Sequence, residues 1–172
     1  QLATDYMGQI KREDQALARV KASNALIDRE SQIKTIRADL DEQMRAGTLD
    51  YTKAEETYNS TIAKLDPLDT PGLDEVTMAE VGNSLKRLHN SGLDGIRAAA
   101  AGARVETAKA DLVGRMDMLG KDAATPGADI DAINNRMEAE DIDVAGHLAF
   151  GADWANKKQA FRDQNWTTHA TQ

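Results

Sequence analysis

The three histidines are the side chains of this sequence best suited to bind a metal ion or to move a proton at neutral pH. They are His89, His147 and His169. A carboxylate-bridged metal site in a helical bundle needs a Glu three residues before a His, so that both ligands leave the same helix face. The residues at those positions are Lys86, Val144 and Trp166. The sequence therefore predicts no metal site.

Other patterns of catalytic chemistry are also missing from the sequence. The acidic run 138–143 lacks the alternating ligands, central Gly and terminal Glu of a calcium-binding loop. The chain has no Cys, so it has neither a thiol nucleophile nor a zinc–thiolate site. The 29 acidic residues offer many carboxylate pairs for glycoside hydrolysis, but nothing selects one pair. We predict no enzyme and no cofactor, with an enzyme that uses an unidentified carboxylate pair as an alternative.

Aromatic side chains are concentrated near the end of the chain. Four of the seven aromatic residues fall within 17 positions, and they are Phe150, Trp154, Phe161 and Trp166. Because aromatic side chains dominate the energy of many protein interfaces, these four are the predicted partner-binding residues. The alternative is that they form the core of their own helix. That alternative is favoured for Trp154 and Phe161, which are seven residues apart on one helix face. For Trp166 neither interpretation is favoured over the other.

Composition limits the classes of partner. The chain has 172 residues, with 21 Lys and Arg against 29 Asp and Glu, and a net charge of -8. That balance argues against nucleic-acid binding, which needs Lys and Arg to displace counterions from phosphate. No apolar run approaches the roughly 20 residues of a membrane span. The expected partners are other protein subunits or the rest of a parent chain, because the ends of the sequence suggest a fragment of a longer protein.

A very long helix is predicted at the start of the chain. Residues 2–46 contain no Pro and a single Gly, at position 8. The apolar residues are separated by steps of three, four and seven, which are typical of one helix face. One step, from Ile27 to Ile33, departs from this spacing. The series is Leu2, Tyr6, Ile10, Leu17, Val20, Ile27, Ile33, Ile36, Leu40 and Met44. Such a helix would be about 68 Å long. It needs packing partners along its length, either in its own chain or in another copy, so a homo-oligomer is one expectation.

Glycine, proline and capping residues predict the remaining helices. Gly47 ends the first helix, and Asp50 caps a second over 51–65. After a loop at 66–76, a capping box from Thr77 to Glu80 starts a helix that stops or kinks at 90–92. The next helix covers 93–119 and ends in a loop at 121–128. Asp129 then caps a short helix, and a last helix runs from about 144 to 168.

The predicted fold is therefore all-α. No segment alternates apolar and polar residues as a strand would. We expect an elongated, antiparallel, coiled-coil-like bundle of five to six helices with one very long N-terminal helix. Residues 1–172 form a single module, with subdivisions at 1–65, 77–120 and 129–172.

The sequence resembles the internal, or ejection, virion proteins of short-tailed bacteriophages. The resemblance lies in the long polar helix, the Ala-rich helices interrupted by Thr-Pro-Gly, and the closing stretch Lys157–Trp166. It implies a non-enzymatic helical module located in the virion, in proteins that leave with the genome and help to form a conduit across the cell envelope. Some members carry a cell-wall-cleaving domain, but none of its motifs occurs here. The alternative function is an extracytoplasmic helical sensor or a secreted helical binding domain of a bacterial system, with a secreted or periplasmic location.

Overall fold

The computed structural model of the chain describes residues 1–171, and all of the regular secondary structure within that range is helical. Three short 3-10 turns cover Tyr51–Lys53, Arg136–Glu138 and Gly151–Asp153. The α-helices are α1 Leu2–Arg45, α2 Ala54–Ala63, α3 Glu75–Ala123, α4 Ile130–Asn135, α5 Glu140–Phe150 and α6 Trp154–Ala170. The prediction of an all-α fold with a very long N-terminal helix is confirmed.

The end of α1 follows the predicted chemistry. Gly47 has a φ of 77°, in the left-handed region that favours glycine, and the backbone turns there. Asp50 then accepts a hydrogen bond from the backbone N–H of Thr52 at 2.8 Å, as an N-cap does. The helix predicted over 51–65 begins with a 3-10 turn and is α-helical only over Ala54–Ala63.

The two predicted helices on either side of residues 90–92 are one continuous helix, so the prediction that a helix ends there is wrong. Gly92 keeps helical backbone geometry inside α3. A Cβ at this position would lie 2.1 Å from Oη of Tyr58 and 2.7 Å from Cγ2 of Ile33. Gly92 therefore allows α1 and α2 to approach α3 closely, and it does not end the helix.

The predicted capping box at Thr77–Glu80 is also wrong, because α3 begins two residues earlier, at Glu75. The cap is Asp74, whose Oδ1 accepts a hydrogen bond from the backbone N–H of Thr77 at 2.7 Å. Hydrogen bonds from Thr77 to its carboxylate lower the pKa of Asp74.

The last predicted helix, from 144 to 168, is divided in the structure into α5 and α6. Gly151 interrupts it with a φ of 56°, a conformation that residues with a Cβ rarely adopt. The break turns the chain so that Trp154 packs back against Gly146 of α5.

Contacts between residues divide the chain into two compact units, residues 1–101 and 102–172, with the boundary inside α3. The predicted subdivisions 1–65, 77–120 and 129–172 place their boundaries elsewhere. Unit 1 contains α1, α2 and the first part of α3. Its buried apolar side chains include Ile33, Leu40 and Met44 of α1, Ala54 and Tyr58 of α2, and Ile96 of α3.

Arg29 is a buried charged residue in unit 1, and its guanidinium is satisfied by polar contacts. Nη2 donates to the backbone carbonyl of Asp66, and Nε donates to Oε1 of Gln32 at 3.0 Å. Nη1 lies 3.4 Å from Nε2 of His89 in α3. A buried cation is tolerated when its donors are paired in this way, and Arg29 thereby ties α1 to the loop after α2 and to α3.

Unit 2 is built on the last part of α3 and on α4, α5 and α6. Asp129 caps α4 as predicted, since its Oδ1 accepts a hydrogen bond from the backbone N–H of Ala132 at 3.1 Å. One cluster forms the apolar core, and its buried members are Leu112, Leu119, Ala123, Ile130, Ile133, Met137, Ile142, Ala149 and Trp154.

Candidate partner-binding surfaces

The four predicted aromatic residues all lie in unit 2, but they have different surroundings. Trp154 is a core residue with 1% of its surface exposed. Its ring stacks on the half-buried ring of Phe150, with the centroids 6.3 Å apart. The ammonium of Lys157 lies 4.9 Å from the centroid of the Phe150 ring, within the range of a cation–π contact. Trp154 and Phe150 therefore hold α5 and α6 together.

The other two aromatic residues lie further along α6. Trp166 is 47% exposed and meets the ring of His169 edge-on at 6.4 Å. Phe161 is half-buried and lines a groove of about 460 Å³ between α3 and α6. The groove combines apolar, amide and charged side chains, among them Val113, Met116, Asp117, Lys121, Gln164 and Asn165.

A charged cluster links the turn before α5 to α6. The Glu138 carboxylate forms an ion pair with Nζ of Lys158, which lies 3.1 Å from Oε1, and a second ion pair with the guanidinium of Arg162. Hydrogen bonds from Lys158 and then from Arg162 lower the pKa of Glu138. Asp143 accepts a hydrogen bond from the indole Nε1 of Trp154 at 3.1 Å. These ion pairs and the indole hydrogen bond hold side chains of α5, α6 and the turn before α5 in place, which is a structural role.

A carboxyl group that acts as a general acid near neutral pH works best when its pKa is raised toward neutrality. Among the described residues, every carboxyl group with a resolved shift has a lowered pKa, and hydrogen bonds are the largest cause in each case: Asp50, Glu55, Asp74, Glu138 and Asp141. Within residues 1–171, no group of three or more His, Asp and Glu side chains is arranged to hold a metal ion. The alternative of a carboxylate-pair enzyme thus gains no candidate residue from the described part of the chain.

Sequence reasoning did not identify a second surface, which lies on α1. The large apolar residues of the predicted series that precede position 33 do not lie on the buried face of this helix. That buried face is formed by Ala18, Ala22, Arg29, Ile33, Leu40 and Met44. At about 100° per residue, a separate set occupies roughly the opposite side of α1, and we call it the N-terminal stripe: Leu2, Tyr6, Ile10, Leu17, Val20 and Ile27.

The N-terminal stripe faces solvent. Leu17 is 61% exposed and Ile27 is 59% exposed, while Ile10 alone is half-buried. The slip between Ile27 and Ile33 was the available signal in the sequence, because it marks where the apolar series passes from one face of the helix to the other.

Comparison with protein-family models, with curated proteins and with solved structures gives no match for this chain. Among the described residues, no helix is both long and apolar enough to cross a membrane.

Proposed function

We propose that the chain is a non-enzymatic structural and protein-interaction module of a larger assembly. The observation that carries this proposal is the N-terminal stripe, a row of large apolar side chains on the face of α1 opposite its buried face. Exposed apolar rows of this kind characterise protein interaction sites, because single exposed apolar residues are common and aligned ones are not. The groove beside Phe161 and the exposed indole of Trp166 offer a second contact surface in unit 2.

The assembly that we propose is the virion of a short-tailed bacteriophage, with the chain as part of an internal protein that takes part in genome ejection. The support is the resemblance of Lys157–Trp166 and of the long polar helix to such proteins. The test is quantitative mass spectrometry of particles purified from cells that express the chain together with its neighbouring genes. We expect its peptides at a fixed ratio to the capsid protein, and their absence from pure particles would contradict the virion proposal.

Two variants test whether the N-terminal stripe is the surface that incorporates the chain into the particle. Replacing both Leu17 and Val20 with Glu places charges on the N-terminal stripe and is expected to lower the amount of the chain in the assembly. The matched control replaces Val76 and Met118 with Glu, since these residues are 70% and 67% exposed but lie on α3. Equal incorporation of both variants would show that the stripe is not the surface used.

The second candidate is an extracytoplasmic sensor or a secreted helical binding domain, and the groove beside Phe161 favours it. A volume of about 460 Å³ lies within the range of small-molecule sites. A thermal-shift screen of small metabolites against the full chain tests this function. A compound that raises the melting temperature of the native chain, but not of a Phe161→Ala variant, would support the sensor over the structural module.

A further inference from the structure

Four residues of the N-terminal stripe fall on a heptad repeat of α1. Positions 10, 13, 17, 20, 24 and 27 alternate steps of three and four, which is the spacing of the seam of a two-stranded coiled coil. Four of the six positions are apolar, and they hold Ile10, Leu17, Val20 and Ile27. The other two hold Glu13 and Asn24, both exposed. Any partner that covers the stripe must therefore meet a particular order of apolar and polar side chains.

We propose that a second copy of this chain covers the stripe, with the two α1 helices antiparallel about a two-fold axis. In this arrangement Ile10 of each copy faces Ile27 of the other, and Leu17 faces Val20 of the other. Glu13 of each copy faces Asn24 of the other. The same surface serves both copies, as in an isologous dimer.

The polar positions favour the antiparallel direction. A parallel pair in register would set Glu13 against Glu13 of the second copy, and two carboxylates in one layer of a seam repel each other. The antiparallel pair sets each Glu13 carboxylate, an acceptor, against an Asn24 amide, which has two N–H donors. Every polar group of the seam then has a complementary neighbour.

The charges beside the seam favour the same direction. Asp14 and Lys21 lie along one edge of the stripe, and both are exposed. Neither forms an ion pair within residues 1–171. In the antiparallel pair, Asp14 of each copy lies beside Lys21 of the other, so that symmetry gives two ion pairs. In a parallel pair, their cross-seam neighbours are Gln9 and Ala16, which carry no charge.

The inference rests on the proposed interaction role of the stripe, and sedimentation equilibrium of the full chain tests it first. We expect a reversible monomer–dimer equilibrium for the native chain. The Asp14→Lys variant places two lysines together in both of the contacts between positions 14 and 21 and should raise the dimer dissociation constant by roughly tenfold. The Lys21→Asp variant should do the same, and the double variant should restore the native value because it exchanges the charges.

The control reverses a charge on the same helix but away from the stripe. Arg12→Asp changes the net charge by the same amount as Lys21→Asp and is expected to leave the dissociation constant near the native value. All of these positions are exposed, and an unchanged helical signal in circular dichroism confirms that each variant is folded. A native chain that stays monomeric at every concentration, or a double variant that is no better than the single ones, would overturn the inference.

Disulfide trapping tests the direction of the pair, since the chain has no Cys of its own. In the antiparallel pair, position 10 of one copy is about 26 Å along the axis from position 10 of the other. Ile10→Cys alone should therefore not cross-link, whereas a mixture of Ile10→Cys and Ile27→Cys chains should form a mixed disulfide. Rapid cross-linking of Ile10→Cys with itself would show a parallel pair and overturn the proposal.

The particle experiment separates this inference from the proposed function. If the chain is monomeric in solution but present at a fixed ratio in purified particles, the proposed structural role stands and the proposed self-pairing is overturned. If the chain dimerises through Leu17 and Val20 but is absent from purified particles, the proposed self-pairing stands and the proposed structural role in the particle is overturned.

Discussion

The indole of Trp154 lies directly on the backbone of Gly146, so that a Cβ at Gly146 would come within 2.1 Å of ring atom Cε2. The contact depends on two glycines. Gly151 supplies the turn between α5 and α6 through its positive φ, and Gly146 leaves room for the ring that the turn brings back. The indole also donates a hydrogen bond to Asp143 at 3.1 Å. This corner fixes the angle between the last two long helices of unit 2.

Gly146→Ala is expected to destabilise unit 2. The added methyl group meets a large ring that is held by stacking and by a hydrogen bond, and overpacking of this kind costs about 1–3 kcal/mol. Chemical denaturation followed by Trp fluorescence measures the loss. The control is Gly114→Ala in α3, where a Cβ would meet nothing within 4 Å. That variant should be neutral or stabilising, because Ala is the better helix former by about 1 kcal/mol, and equal effects at both positions would contradict the assignment.

Tyr58→Phe should destabilise unit 1. The hydroxyl of Tyr58 donates a hydrogen bond to the backbone carbonyl of His89 at 2.9 Å, and the ring is 1% exposed. Loss of one buried hydrogen bond costs about 1 kcal/mol, measured as a shift of the denaturation midpoint. The matched control is Tyr51→Phe, because Tyr51 lies in the turn before α2 and is only half-buried. If the two variants lost the same stability, the Tyr58 hydroxyl would have no special role in joining α2 to α3.

Local chemistry in the sequence was sufficient to predict several features of the fold. The all-α class, the turn at Gly47 and the caps at Asp50 and Asp129 depend on residues within a few positions of one another. The continuous α3 could not be predicted in this way. A glycine inside a helix either ends it or allows close packing, and at Gly92 the deciding atom belongs to Tyr58, which is distant in sequence.

The surroundings of the candidate surface residues also could not be predicted from local sequence. The aromatic residues near the end of the chain could be identified from composition, but Trp154 in the core and Trp166 at the surface have the same residue type. Their surroundings depend on the turn at Gly151, which the periodicity of the last helix concealed. The N-terminal stripe was visible as a set of apolar positions. Its exposure was not, because the sequence does not show which side of α1 receives α2 and α3.

Stability of unit 1 should fall between about pH 7 and pH 5 because of His89. Burial lowers the pKa of His89, and the positive charge of Arg29 lowers it further. The imidazole Nε2 faces the Arg29 guanidinium at 3.4 Å, where only a neutral ring can accept a hydrogen bond. Since the unfolded chain takes up the proton at a pKa of about 6.5, the contribution of His89 is present above that value and is lost as the pH falls.

Thermal melts at the two pH values check this prediction. The native chain should melt at a lower temperature at pH 5 than at pH 7, and His89→Gln should show a smaller difference. His147→Gln, at an exposed position in α5, provides the control and should keep the native difference. A His89→Gln variant with the full native pH dependence would assign the effect to other groups.

The buried amide pair of unit 2 gives the last prediction. Nδ2 of Asn165 donates a hydrogen bond to Oδ1 of Asn134 at 2.9 Å, and both residues are buried. Replacing either residue with Ala leaves the other amide buried without its partner, which costs about 1–3 kcal/mol. The double variant should lose less than the two single losses combined, because no orphaned amide remains. Asn156→Ala, at an exposed position of α6, should change stability by less than about 0.5 kcal/mol. Denaturation of the four variants measures the coupling, and strictly additive losses would show that the two amides do not stabilise each other.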